Sequence, residues 1–104
     1  MTKKFSSKDP EEIIIITFDY TDQFLDASEN ITTVQEWEIS VAEGVDASPT
    51  DLFTGIPTFD AKTVSHMITG GLNGVSYLIS CTVNTTKGQR IKMAGILPII
   101  SQGN

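Results

Sequence analysis

In Val75–Val83, Val-Ser-Tyr-Leu-Ile-Ser-Cys-Thr-Val, the residues Val75, Tyr77, Ile79, Cys81 and Val83 fall on every second position. A period of two belongs to a strand with one buried face, whereas a helix repeats its faces about every 3.6 residues. The chain then turns through Thr85-Thr86-Lys87-Gly88 and resumes at Gln89, so residues 89–97 are expected to return as the second arm of a hairpin. Similar runs recur. Ile13–Tyr20 is rich in β-branched residues, and Lys62–Gly70 ends at a Gly-Gly pair. From Thr33 to Val41 the chain alternates again, with Thr33, Gln35, Trp37, Ile39 and Val41 on one face and Val34, Glu36, Glu38 and Ser40 on the other.

Short strands separated by turn signals predict an all-β fold, an antiparallel β-sandwich. Its expected core holds Trp37, Ile39, Tyr77, Ile79, Cys81 and Val83, with Trp37 as anchor because tryptophan carries the largest apolar area. Leu72, Gly74 and Tyr77 are spaced like a tyrosine corner, in which a hydroxyl bonds back to the backbone a few residues upstream. Between Ala42 and Phe59, Gly44, Pro49, Gly55 and Pro57 read as loop punctuation, with room for one short strand. Residues 1–12 are polar and contain Pro10, so they are expected to form a flexible or docking arm, and residues 13–104 a single sandwich domain.

Composition narrows the function. The only cysteine, Cys81, excludes an internal disulfide, and no apolar run approaches the roughly 20 residues of a membrane span. A soluble, unsecreted protein with no membrane association is expected. The net charge of −6 argues against a nucleic-acid partner. All 13 acidic residues lie within residues 1–60, and residues 61–104 carry only basic charges: Lys62, Lys87, Arg90 and Lys92. Either the two parts present complementary faces to neighbours, or they interleave and pair within one chain.

Chemistry finds little footing. Cys81 and the only histidine, His66, both sit within expected strands, where a small thiol is inert, and they are too few for a cysteine–histidine zinc site. Asp19, Asp22 and Asp26 match no EF-hand spacing and read better as turn residues capping their own backbone. Gly70, Gly71 and Gly74 lack the lysine and helix of a phosphate loop. The expectation is a non-enzymatic protein with no cofactor and no metal.

Several blocks of the chain resemble those of small bacteriophage proteins described as fiber–tail adaptors. Lys8-Asp9-Pro10 is followed by a strand and by the turn Phe18-Asp19-Tyr20-Thr21-Asp22, where the family more often has tryptophan in place of Tyr20. Trp37 and Gly44 mark a central strand, and residues 64–90 hold a Gly-Gly turn, a Gly-x-x-Tyr strand entry and a Thr-x-x-Gly hairpin. The resemblance implies an Ig-like sandwich that is a structural part of the virion, near the tail or neck, assembled in the host cytoplasm. Its expected partners are other virion proteins and copies of itself, in a ring-type homo-oligomer. The expected contact residues are Lys8, Asp9, Pro10, Asp19 and Asp22 in the acidic part and Lys87, Arg90 and Lys92 in the basic part. Leu97 and Pro98 join them from the tail Gly95–Ile100, which either docks outward or completes the sheet. A capsid decoration or head-completion role, or a small carbohydrate-type binding module, stands as the alternative.

Overall fold

The β-branched and alternating runs form seven strands in a computed structural model that describes residues 2–101; Met1 and residues 102–104, the ends of the expected arm and domain, lie outside the described residues. The strands are β1 (Thr2–Lys4), β2 (Ile13–Asp19), β3 (Ile31–Glu43), β4 (Phe53–Phe59), β5 (Thr63–Thr69), β6 (Ser76–Thr85) and β7 (Arg90–Pro98). They pair into a four-stranded sheet in the order β1-β7-β6-β3 and a three-stranded sheet in the order β2-β5-β4. Every pairing is antiparallel except β1 with β7, which is parallel. The two sheets pack face to face as a sandwich, as the alternation requires.

The core lies where the periodicity places it. Val75, Tyr77, Ile79, Cys81 and Val83 are all buried, together with Ile16 and Phe18 of β2, Val64 and Ile68 of β5, and Leu97 of β7. Trp37 and Ile39 are only half-buried, although they pack against this cluster. The reason is topological: β3 is the outer strand of its sheet, so its inward side chains stay accessible at the margin. Strand β3 also does not keep a strict alternation. Irregularities between Val34 and Glu36 and between Val41 and Glu43 shift its register, and the first turns Val34 inward beside Trp37 instead of away from it.

The stretch expected to be mostly loop contains all of β4. Gly55 and Pro57 sit within that strand, where its register against β5 breaks between Thr54 and Thr58. An edge strand tolerates both residues because one side of its backbone has no ladder to serve.

The N-terminal segment does not stand away from the sandwich. Beyond β1, the Phe5 amide donates to Ile96 O at 2.9 Å, the Lys8 amide to Pro98 O at 2.9 Å, and the Ile100 amide to Lys8 O at 2.8 Å. Phe5 packs on Phe18 with ring centroids 5.6 Å apart. Gly95 makes that approach possible, since a Cβ there would lie 2.5 Å from Phe5 Cε2. The tail Gly95–Ile100 therefore completes the sheet, with Leu97 and Ile99 buried, rather than docking outward.

Candidate partner-binding surfaces

The charges that the sequence separates are brought together by the fold. Strand β7 lies two places from β3, and Lys92 Nζ reaches Glu38 Oε1 at 3.2 Å. Lys87 Nζ lies 3.5 Å from Asp26 Oδ2, and Arg90 Nε donates to Asn84 Oδ1 at 3.0 Å. Lys62 Nζ donates to the backbone carbonyls of Glu29 at 2.6 Å and Ala27 at 2.9 Å. The basic residues of the second part thus meet acidic or carbonyl oxygens of their own chain. Such exposed pairs contribute little stability, but they leave no separate basic face opposite an acidic one.

Two of the expected contact residues are not on the surface. Leu97 is 0% exposed and fills the core. Lys8 is also 0% exposed; its Nζ donates to Gly70 O at 2.7 Å and to Asp9 O at 2.9 Å, which pins the N-terminal segment to the turn after β5. Burial pushes the Lys8 ammonium below its ordinary pKa, against the pull of Glu12 and Asp9. Asp9, Pro10 and Pro98 are half-buried, while Asp19, Asp22, Lys87, Arg90 and Lys92 are exposed. Asp19 and Asp26 cap their own turns: Asp19 Oδ1 accepts from the Thr21 amide at 2.9 Å, and Asp26 Oδ1 from the Ser28 amide at 2.8 Å. Their carboxyls are held below the usual range chiefly by hydrogen bonds from the Thr21 and Ser28 hydroxyls.

Each end of the sandwich is fastened by a polar knot. At one end the Leu72 amide donates to the Tyr77 hydroxyl at 3.1 Å, which is the back-bond expected of a tyrosine corner. The same hydroxyl donates to Asp46 Oδ2 at 2.6 Å, tying down the loop after β3. At the other end Glu29 is buried and accepts from the Leu25 amide at 2.6 Å, from the Thr85 hydroxyl, and from Gln89 Nε2 at 2.9 and 3.0 Å. Burial pushes its carboxyl upward, but these hydrogen bonds together outweigh it and hold the group below the usual range. Local sequence carries no sign of this site, because two of its three donors lie more than fifty residues away in the chain.

The outer face of the three-stranded sheet is apolar where a solvated face is normally polar. Ile13 is 65% exposed, Ile15 63%, Ile56 89% and Met67 41%. Ile15 pairs directly with Met67 across β2 and β5. Ile15, Ile56 and Met67 also line one shallow depression with Thr58 and Ser65. By contrast the outer side of β3 carries Glu36 and Glu38.

The single cysteine and the single histidine are enclosed. Burial pushes the Cys81 thiol up to about 11, and His66 is 6% exposed, stacked on Phe53 at 4.6 Å and set edge-on against Trp37 at 5.1 Å. The histidine is turned inward by the register that also buries Val64 and Ile68. Among the described residues, no three histidine, cysteine or acidic side chains gather into a metal-holding group. The rings of Phe5, Phe18, Trp37 and Phe53 pack against one another in the interior, whereas Phe59 is 48% exposed. Compared with known proteins, the chain matches one family over residues 8–98, described as podophage GP4 fiber-tail adaptor protein gp77. No curated protein and no solved structure matches it.

Proposed function

Because the chain belongs to the podophage fiber-tail adaptor family, we propose that it is a non-enzymatic structural part of the virion that joins tail components through protein–protein contacts. The observation that carries the contact reading is the exposed apolar surface of Ile13, Ile15, Ile56 and Met67 on one sheet, since monomeric proteins seldom leave such a face uncovered. The strand order supports taking the sandwich as Ig-like: the parallel β1–β7 edge and the tyrosine corner at the start of β6 both fit that arrangement. Copies arranged in a ring around the tail or neck, built in the host cytoplasm without nucleic acid, complete the proposal. Of the expected contact residues, Asp9, Pro10, Asp19, Asp22, Lys87, Arg90, Lys92 and Pro98 lie wholly or partly at the surface, whereas Lys8 and Leu97 act from within.

Quantitative mass spectrometry of purified particles tests the reading. The chain should appear at a fixed ratio to a known ring protein of the tail. Its presence in infected cells but absence from intact particles would overturn it.

A further inference from the structure

A sheet ends in two edge strands whose outward N–H and C=O groups can pair with any strand that reaches them, and proteins normally blunt such edges. Three of the four edges here are blunted, each differently. Strand β1 is three residues long and carries Lys3 and Lys4. Strand β3 has three register irregularities and the charges Glu36, Glu38 and Glu43. Strand β4 is interrupted by Gly55 and Pro57 at its break in register.

Strand β2 has none of these devices. It pairs with β5 without a break over seven residues, and Ile13 to Phe18 contain no charge, no proline and no glycine. The Tyr20 amide donates to Lys62 O at 3.0 Å, which makes Tyr20 and Lys62 a hydrogen-bonded pair. In an antiparallel ladder such pairs alternate, so Phe18, Ile16 and Ile14 face β5 and the main-chain groups of Ile13, Ile15 and Thr17 point outward. Along that edge runs a groove of about 360 Å³ between Phe5, Ser6 and Ser7 and residues 14–17 of β2. Among the described residues, the side chain that reaches an edge carbonyl is that of Lys3, whose Nζ sits a long 3.4 Å from Thr17 O.

We infer that β2 is a receiving edge, which takes up an extended segment of a different tail protein as an eighth strand. A strand is what the outward amides and carbonyls demand. Charge decides against a second copy of this chain. Glu11 and Glu12 precede β2, and Asp19 and Asp22 close it. Antiparallel self-pairing would set the acidic start of one copy against the acidic end of the other at both ends of the join, and like charges facing across strands destabilise. The acidic brackets suit a segment that is uncharged and β-branched in its middle and basic where it passes them. Its alternate side chains would cover Ile13 and Ile15, the exposed large apolar residues of this strand.

This inference rests on the adaptor reading, and hydrogen exchange separates the two. In the purified chain the amides of Ile14, Ile16 and Phe18 should exchange slowly and those of Ile13, Ile15 and Thr17 quickly. In purified particles the second set should slow by at least about tenfold. In parallel, Ile15→Cys places a thiol on the exposed face of β2, while Cys81 stays buried and does not compete. Treating particles that carry it with a short thiol-to-amine crosslinker should yield a bridged product with another virion protein. A chain present in particles with unchanged exchange at β2 overturns the strand inference alone. A product consisting of two copies of this chain overturns its choice of partner. Absence of the chain from particles overturns the adaptor reading beneath both.

Discussion

Replacing Tyr77 by phenylalanine removes one oxygen and leaves the ring in place, so it isolates what the corner contributes. The Tyr77 ring is fully buried, and its hydroxyl makes two hydrogen bonds, one accepted from the Leu72 amide and one donated to the Asp46 carboxylate. A neutral hydrogen bond contributes about 0.5–1.5 kcal/mol and one to a charged group about 1.5–3 kcal/mol. Leu72 is exposed and Asp46 only half-buried, so water can take over part of both roles, and the lower ends of these ranges apply. The expected loss for Tyr77→Phe is therefore about 1.5–2 kcal/mol. It should lower Tm by about 6–12 °C for a domain of this size. Urea unfolding followed by Trp37 fluorescence measures the loss, and the same substitution on an Asp46→Ala background should cost distinctly less. The hydrogen bond from Tyr77 is also the largest influence holding the Asp46 carboxyl below its ordinary pKa. A carboxyl depressed in the folded state stabilises fully above its unfolded value and ceases to do so as pH falls through the folded one. The difference between the two proteins should then be constant from neutral pH down to about pH 4 and narrow below it. A loss under about 0.5 kcal/mol, or an equal loss in both backgrounds, would refute the corner as a stabilising knot.

Other expectations follow from the same packing. Burial pushes the His66 imidazole below its ordinary 6.5, so the unfolded chain takes up the proton first. Stability should fall as pH drops from about 6.5 towards 5, above the range where the carboxylates titrate, and His66→Gln should abolish that slope in urea midpoints. Gly95→Ala should cost about 1–3 kcal/mol, because the new methyl meets the Phe5 ring and forces it off Phe18; calorimetry checks it. Lys92→Ser should change stability by less than about 0.5 kcal/mol, since both partners of its ion pair are half exposed. The Cys81 thiol should react with an aromatic disulfide reagent only as fast as the core opens, so labelling should track global unfolding across a urea series.

Legibility divided along physical lines. The five alternating residues from Val75 to Val83 all proved buried, because β6 sits inside its sheet and period two is enough to orient a central strand. Edge strands were harder to read. In β3 the irregularity after Val34 defeats strict alternation, and in β4 Gly55 and Pro57 imitate loop punctuation although an edge ladder admits both. The tyrosine corner was legible because its bond spans only five residues, whereas the Glu29 knot depends on Thr85 and Gln89, a separation that no local pattern encodes. In the N-terminal segment one long-range contact was out of reach of the sequence. Lys8 looked like a free surface charge, and it is buried because its ammonium finds the Gly70 carbonyl.

The segregation of charge shows how sequence order and surface order part company in a sandwich. Thirteen acids precede residue 61 and only basic charges follow, yet β7, the carrier of Lys92 and Arg90, is laid between β1 and β6 of the same sheet that holds β3. Two of the four late basic residues thereby acquire carboxylate partners within the chain, Lys92 with Glu38 and Lys87 with Asp26, so attraction between an acidic face and a basic face has little left to act through. What the fold leaves unmet is of another kind. It is main-chain polarity along β2 beside apolar side chains, with Glu11 and Glu12 before the strand and Asp19 and Asp22 at its end. At this edge an adaptor built this way would discriminate partners by whether they can lend a strand uncharged in its middle, with the acids keeping copies of itself off β2 while leaving their contacts through other faces untouched. Substituting Glu11 and Glu12 by glutamine should therefore bring out self-association through β2 that the unaltered chain resists, detectable as a dimer by sedimentation. A strictly monomeric double variant would show that something other than like charge keeps the edge single.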